Sequence, residues 1–255
     1  MQVSKADRHH ETVEVARSFI ERARSVASDA ELVHLLDAVS GVLGFRYFAL
    51  IHHVDLRRSS SGVIHLENYP PAWSARFIQS RQFLDDPVLL ASLRTNVGFA
   101  WDAIPKMIRL TSRQREIFEA AAREGLGTGF TVPANIPGES CGSISFVMPP
   151  GRALPEQGLL AAELIGIYAF EAARRMRRPV LGTEPPRLTE RQRECLIWAA
   201  RGKTDGEIAT IFGIGEETVT KHMNAARERY DVARRQQLIV AALFDGQISF
   251  LETLH

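Results

Sequence analysis

Tyr69, Trp73, Asp86 and Trp101 bring together a phenol, two indole N–H donors and one carboxylate, and Phe77 adds a bare aromatic ring. Buried without partners, each polar tip would cost ~1–3 kcal/mol. The set therefore points to a small, polar-headed ligand. The same residues also read as core aromatics, with Asp86 capping a helix, and their spacing alone fits both.

Other reactive groups are less well placed. Cys141 could act as a nucleophile with His52 or His65, but nothing local supports the pairing. The glycines of GLGTGF (Gly125, Gly127, Gly129) follow a helical pattern and precede a strand, the reverse of a dinucleotide-binding turn. His52 and His53 point to opposite faces of a strand and have no Cys or His pair at ligand spacing, which argues against a metal. The first half also lacks the apolar parallel strands ending in acidic residues that a phospho-acceptor receiver needs.

A second chemistry lies in TDGEIATIFGIGEETVTKHMNAARERY (Thr204–Tyr230). Ala209 permits close helix approach, Gly213 supplies a sharp turn, and Val219 faces back into the pair, which is the pattern of a helix-turn-helix. Val219, Met223, Ala226 and Tyr230 share one face of the second helix. Thr220, Lys221, Asn224 and Arg227 are left outward, where a major groove could receive them. A plain helical hairpin fits the three anchors too. Helices at Glu190–Arg201, with Leu196, Ile197 and Ala200 inward, and at Arg235–Phe244 would complete a four-helix unit of about 65 residues, near the lower limit for independent folding.

The remaining elements must build the first site. Residues 1–11 read as frayed, and two amphipathic helices run from Thr12 to about Gly41, broken and capped at Ser28-Asp29. Strands are expected at Phe45–Val54 and Val63–Tyr69 around a turn at Asp55–Gly62, and at Gly127–Ile136 and Gly142–Met148. Short helices are expected at Ala72–Arg81, after Asp86-Pro87, and at Thr111–Arg123, and a long one at Pro155–Arg178. Gly98–Asp102 reads as a short strand or loop. The expected fold is α+β: an N-terminal α-β-α sandwich with an antiparallel sheet, then an all-α four-helix helix-turn-helix domain. Pro179–Arg187, rich in proline and glycine, reads as the linker.

Composition bounds these readings. The 255 residues are 45% hydrophobic and 24% charged with a net charge of +1, ordinary for a soluble protein. No apolar run approaches a membrane span and no signal-peptide pattern opens the chain, so the expected location is cytoplasmic. Residues 183–255 carry 10 Lys/Arg against 11 Asp/Glu, a net charge of −1. Any DNA binding must then rest on where individual cations sit. The two cysteines, Cys141 and Cys195, fall in different domains and are expected to be reduced.

Two blocks of this chain resemble the LuxR family of quorum-sensing transcription regulators. LTERQRECLIWAARGKT (Leu188–Thr204), GEIATIFGIGEETVTKHM (Gly206–Met223) and ALFDGQISF (Ala242–Phe250) are similar to the family's DNA-binding domain. Tyr69-x3-Trp73, Asp86-Pro87, Trp101 and Gly129 resemble, in order and spacing, its acyl-homoserine-lactone pocket. The resemblance implies a non-enzymatic regulator with an autoinducer-binding domain (1–178), a linker (179–187) and a DNA-binding domain (188–255). It needs no cofactor besides a homoserine-lactone effector. Trp73 would donate to the lactone carbonyl, Asp86 accept from the amide N–H, and Tyr69 donate to the acyl carbonyl. Trp101 would pack on the lactone ring and Ser145 reach the amide region. Phe77 stands where the family's tyrosine is expected, which removes a hydroxyl from the wall, and Gln192 stands for an expected glutamate. The implied partners are an acyl- or aryl-homoserine lactone, double-stranded DNA with an inverted repeat, a second copy of the chain and RNA polymerase, with no membrane. Thr220, Lys221 and Asn224 would reach base edges, with Lys203, Arg227 and Arg229 at phosphates or in support and Thr218 a further DNA-binding residue. A regulator answering another small molecule, such as a host-derived signal, a lactone or thioester hydrolase using Cys141, and a regulator that needs no ligand remain open at this level.

Overall fold

The structure, a computed structural model, describes residues 5–54, 62–136, 139–177 and 186–254, with side chains described from Thr12 onward. The expected turn at Asp55–Gly62 and the linker Pro179–Arg187 lie largely outside the described residues. The chain divides into two compact units, Met1–Asn135 with Ser140–Pro179, and Ile136–Glu139 with Val180–His255.

In the first unit, α1 (Lys5–Ala23) and α2 (Asp29–Leu43) are separated at Ser28, whose hydroxyl accepts from Glu31 N and caps α2. The α1 helix begins earlier than the polar composition suggested, because the run from Lys5 to Glu11 contains no proline or glycine to stop it. There follow β1 (Tyr47–His52), β2 (His65–Glu67), α3 (Pro71–Gln79), α4 (Pro87–Ser92), β3 (Phe99–Ala100), α5 (Ile104–Met107), α6 (Ser112–Arg123), β4 (Gly129–Ala134), β5 (Gly142–Val147) and α7 (Leu159–Arg177). The long helix starts at Leu159 rather than Pro155. Pro155 has ψ 85°, outside the helical range, and Gly158 N bonds Pro155 O at 2.7 Å to close a tight 3-10 turn first.

The five strands form one antiparallel sheet in the order β2-β1-β5-β4-β3. Its pairing sorts side chains between two faces, because strand residues alternate. Phe48, Leu50, Phe130, Val132, Ile144 and Phe146 face one side, where α7 lies on β4 and β5 and α2 on β1. Ala49, Ile51, Thr131, Ser143, Ser145 and Val147 face the other, beneath α3, α4 and α6. A cluster of Trp73, Phe77, Leu89, Ile117 and Ala121 covers that side. Deleting a fully buried ring such as Phe146 would cost ~3–5 kcal/mol.

The second unit contains α8 (Glu190–Ala200), α9 (Asp205–Phe212), α10 (Glu216–Arg229) and α11 (Arg235–Phe244), the four expected helices, and adds α12 (Phe250–Leu254). In α8 the buried residues are Gln192, Cys195, Leu196 and Ala199, while Ile197 and Ala200 are only partly covered. Capping boxes start α8 (Thr189 with Gln192) and α9 (Thr204 with Glu207). Gly213 ends α9 at φ 65°, a left-handed turn that redirects the chain into α10. Ile208 and Ala209 of α9 pack with Val219, Met223 and Ala226 of α10 and with Leu238 and Ala242 of α11. The short α12 is held by Glu252, which pairs with Arg193 and whose carbonyl accepts from Arg201 Nε at 2.8 Å.

Candidate functional site

A cavity lies between the sheet and α3, α4 and α6. The space between its lining atoms, part of it open to solvent, is about 640 Å³. Tyr69, Trp73, Phe77, Asp86, Trp101 and Ser145 all line it. The six residues singled out in the sequence are thus brought together.

Each is set by its own element. Pro71 starts α3 with a ready-made φ, and Trp73 and Phe77 then fall one turn apart with ring centroids 5.6 Å from each other. Asp86 is both cap and cavity residue: its Oδ1 accepts from Val88 N at 2.7 Å, which fixes the carboxylate at the start of α4. Burial pushes the Asp86 carboxyl up to about 6, against the opposing pull of the Val88 and Leu89 amides. It is therefore mainly ionised at neutral pH and is ready to accept a hydrogen bond.

Trp101 lies on β4, where Gly129 leaves room for it. Its Nε1 donates to Thr131 Oγ1 at 2.8 Å, and Thr131 Oγ1 is 2.8 Å from Ser145 Oγ on the neighbouring strand. The Tyr69 hydroxyl reaches Ser145 in turn, and burial followed by the nearby Glu67 and Asp86 carboxylates raises its pKa well above the ordinary phenol value. Trp101, Thr131, Ser145 and Tyr69 thus form one polar chain across the sheet. This corrects the expectation that both indoles need an outside partner: Trp101 has one in the protein. Trp73 has none among the described residues, and its ring is instead covered by the Arg76 guanidinium at 5.2 Å. Thr131 was not singled out from the sequence; only its register opposite Ser145 gives it away.

The cavity lining includes Asp86, Glu67 and His65 but no lysine or arginine. Cys141 is not part of it, so a thiol attack on the cavity's occupant has no geometric basis. His52 and His53 do point to opposite faces: His52 stacks edge-on against Phe170 at 5.5 Å, and His53 Nε2 lies 2.9 Å from Ser143 Oγ on the cavity side. No group of three His, Cys, Asp or Glu able to hold a metal occurs among the described residues.

In the second unit, Thr218, Lys221, Asn224 and Arg229 are exposed. Arg227 hydrogen-bonds the Asn224 side chain and the Ala233 carbonyl, Arg229 donates to Arg187 O at 3.1 Å, and Lys203 pairs with Glu207 at 3.0 Å. Thr220 departs from the expected outward face. Its hydroxyl donates inward to Asp205 Oδ2 at 2.9 Å, and the other Asp205 oxygen takes Arg235 Nη1 at 2.5 Å. The helical period placed Thr220 on the rim of the face, and this polar clasp turned it in.

Gln192 keeps the capping role open to a glutamate. Its Oε1 accepts from Thr189 N at 2.9 Å while its own N–H bonds the Thr189 hydroxyl. The neutral amide is well suited to a residue only 4% exposed, since no charge is buried.

Comparison with known proteins agrees with this arrangement. The family description "Autoinducer binding domain" matches residues 28–175, and "Bacterial regulatory proteins, luxR family" matches residues 186–242. The transcriptional activator protein AhyR of Aeromonas hydrophila is 29% identical over 236 residues, covering 89% of this chain and 90% of AhyR. The regulatory protein SdiA of Escherichia coli is 27% identical over 238 residues, covering 91% and 96%. The crystal structure of Escherichia coli SdiA superposes with a TM-score of 0.64 at 27% identity, covering 92% of this chain and 98% of SdiA, and SdiA in complex with octanoyl-rac-glycerol gives 0.63 at 26%, covering both chains fully. These relatives are regulators, not enzymes, and among the described residues no helix is long and apolar enough to cross a membrane. The chain belongs to the LuxR family of bacterial transcriptional regulators, with an autoinducer-binding domain followed by a DNA-binding helix-turn-helix.

Proposed function

We propose that the cavity binds an N-acyl- or aryl-homoserine lactone and that the liganded chain, as a homodimer, binds an inverted-repeat DNA site in the cytoplasm to regulate transcription. The observation that carries this reading is the pairing of an unpartnered indole donor, Trp73, with the carboxylate acceptor Asp86 in one cavity. A homoserine lactone offers one amide N–H, two carbonyl oxygens and an apolar tail, which complement that pair, the Tyr69 hydroxyl and the aromatic wall. Trp73 takes the lactone carbonyl, Asp86 the amide N–H and Tyr69 the acyl carbonyl. Ser145 backs Tyr69, Trp101 packs on the ring, and Phe77 shapes the tail's path. Residues 1–178 form the sensor, 179–187 the linker and 188–255 the DNA-binding domain.

On α10, Lys221 and Asn224 reach base edges, with Thr218 beside them. Lys203, Arg227 and Arg229 serve phosphates or support, while Thr220 steadies the helix through Asp205. RNA polymerase is the downstream partner. Ligand at ~100 times its Kd would add ~2.7 kcal/mol to the folded sensor, enough to decide whether a marginal dimer persists.

The test is a binding titration of the whole chain with a panel of acyl- and aryl-homoserine lactones, repeated with Asp86→Asn. Tight binding by the native chain that weakens at least tenfold in the variant supports the reading; near-equal affinity of both overturns it. A second reading, a neutral acyl-glycerol in the same cavity, is favoured by the complex of the similar SdiA with octanoyl-rac-glycerol. Including that compound in the panel separates the two.

A further inference from the structure

The wall that β2 gives the cavity is inverted in polarity. The register sets His65 opposite Ile51 and Glu67 opposite Ala49, so both face the cavity, while Leu66 opposite Leu50 faces the helical core. A strand that only closed an apolar tail site would put aliphatic residues at 65 and 67. Here both are ionisable and joined to each other, His65 Nε2 to Glu67 Oε1 at 3.2 Å, with side chains only 29% and 18% exposed. The second oxygen, Glu67 Oε2, takes no hydrogen bond from any described residue. That oxygen is left to accept from a donor on the cavity's occupant.

We propose that the His65–Glu67 pair is a specificity-determining anchor for the effector's tail, with Glu67 accepting from a hydroxyl or phenol there. The proposal rests on the reading above that the headgroup sits at Trp73, Asp86 and Tyr69. Glu67 ends β2 two residues before Tyr69, which in that reading holds the acyl carbonyl, so a tail leaving Tyr69 along this wall passes Glu67. Three further features support it. The carboxylate of Glu67 acts on the Tyr69 hydroxyl, which places it beside the start of the tail. With no lysine or arginine in the lining, an anionic tail would find no partner. A ketone, which only accepts, would gain nothing from a carboxylate.

The experiment is a calorimetric titration of the full chain with three lactones that share one headgroup: hexanoyl-, 6-hydroxyhexanoyl- and 5-oxohexanoyl-homoserine lactone. The native chain is expected to bind the hydroxylated tail at least tenfold more tightly than either other. Glu67→Leu should reverse the preference toward hexanoyl. Glu67→Gln, nearly isosteric and still an acceptor, should keep most of the preference for the hydroxyl and controls for any folding defect in the leucine variant. Equal binding of all three by the native chain, or an equal loss for all three in Glu67→Leu, overturns this proposal and leaves the headgroup reading standing. Failure of every lactone to bind overturns both.

Discussion

The Trp101 indole lies so close on Gly129 that a methyl group at residue 129 would sit 2.5 Å from Trp101 Cε2. This contact lets Trp101 Nε1 reach Thr131 and so fixes one end of the polar chain through Ser145 to Tyr69. Gly129→Ala should push the indole off its seat. The expected cost is ~1–3 kcal/mol of sensor stability from overpacking, with loss of lactone binding. Urea denaturation measures it, and Trp101→Leu in the same chain should recover part of the stability but not the binding.

Asp86 should make ligand-free stability and ligand affinity run in opposite directions with pH. Its pKa is raised from an ordinary 3.8 to about 6, so the folded chain takes up the proton more readily than the unfolded chain between those values. The stabilising contribution is fully present below about 3.8 and is lost as pH rises through about 6, a swing of up to ~3 kcal/mol. Lactone affinity, which needs the carboxylate as acceptor, should fall below pH 6 by up to about tenfold per pH unit. Parallel melting and titration series from pH 5 to 7.5, with Asp86→Asn as reference, check both slopes.

His53 should show the mirror behaviour. Burial, helped by the neighbouring His52, lowers its pKa from 6.5 to about 4, so the folded chain holds the imidazole neutral. Stability from this group is present above 6.5 and lost as pH falls toward 4, by up to ~3 kcal/mol. In the native chain it offsets Asp86 across much of the same window. His53→Asn should therefore flatten acid destabilisation, and Asp86→Asn should steepen it.

Much of the architecture was legible because local chemistry specified it. Ser28, Asp86-Pro87 and Thr111 read as helix starts, and in the structure each side chain accepts from a nearby backbone N–H; Thr189 and Thr204, not singled out as caps, do the same for α8 and α9. What periodicity cannot encode is pairing between distant segments. The β1–β5 register joins Tyr47 to Val147, and no feature of either strand alone names the other. The position of Ser143 beside His53 depends on that register, the Thr131 link on the β4–β5 pairing and the His65–Glu67 wall on the β1–β2 pairing. Thr220 was misjudged for a related reason: a helical face was assigned from spacing, while the partner that reclaimed its hydroxyl, Asp205, sits on another helix.

Asp205 should prove a stability residue in the DNA-binding unit. It accepts from both Thr220 and Arg235, whose guanidinium also holds the Lys203 carbonyl at 2.5 Å. Asp205→Ala leaves a largely covered arginine without its counter-charge and should cost ~1–3 kcal/mol. Trp198, the only tryptophan after Trp101, reports unfolding of this unit by fluorescence.

The polar side chains on and around α10 should separate by salt dependence. On an operator selected from random DNA, Lys221→Ala and Asn224→Ala should each lose ~1–3 kcal/mol of binding, with little change on unrelated DNA. Lys203→Ala should weaken both alike and lower the salt slope by about one. Fluorescence anisotropy across a salt series distinguishes the two classes.

The two layers flanking the sheet differ in build: α2 and α7 run 15 and 19 residues, whereas α3, α4, α5 and α6 run 9, 6, 4 and 12. Short helices open locally with less work than long ones, so amide hydrogens of α3 and α4 should exchange before those of α7. A molecule bound beneath them as proposed would leave more readily when they lift. How long a signal persists after its source is removed would then be timed by the breathing of this thin cover, and ligand escape and amide exchange in α3 should share one rate.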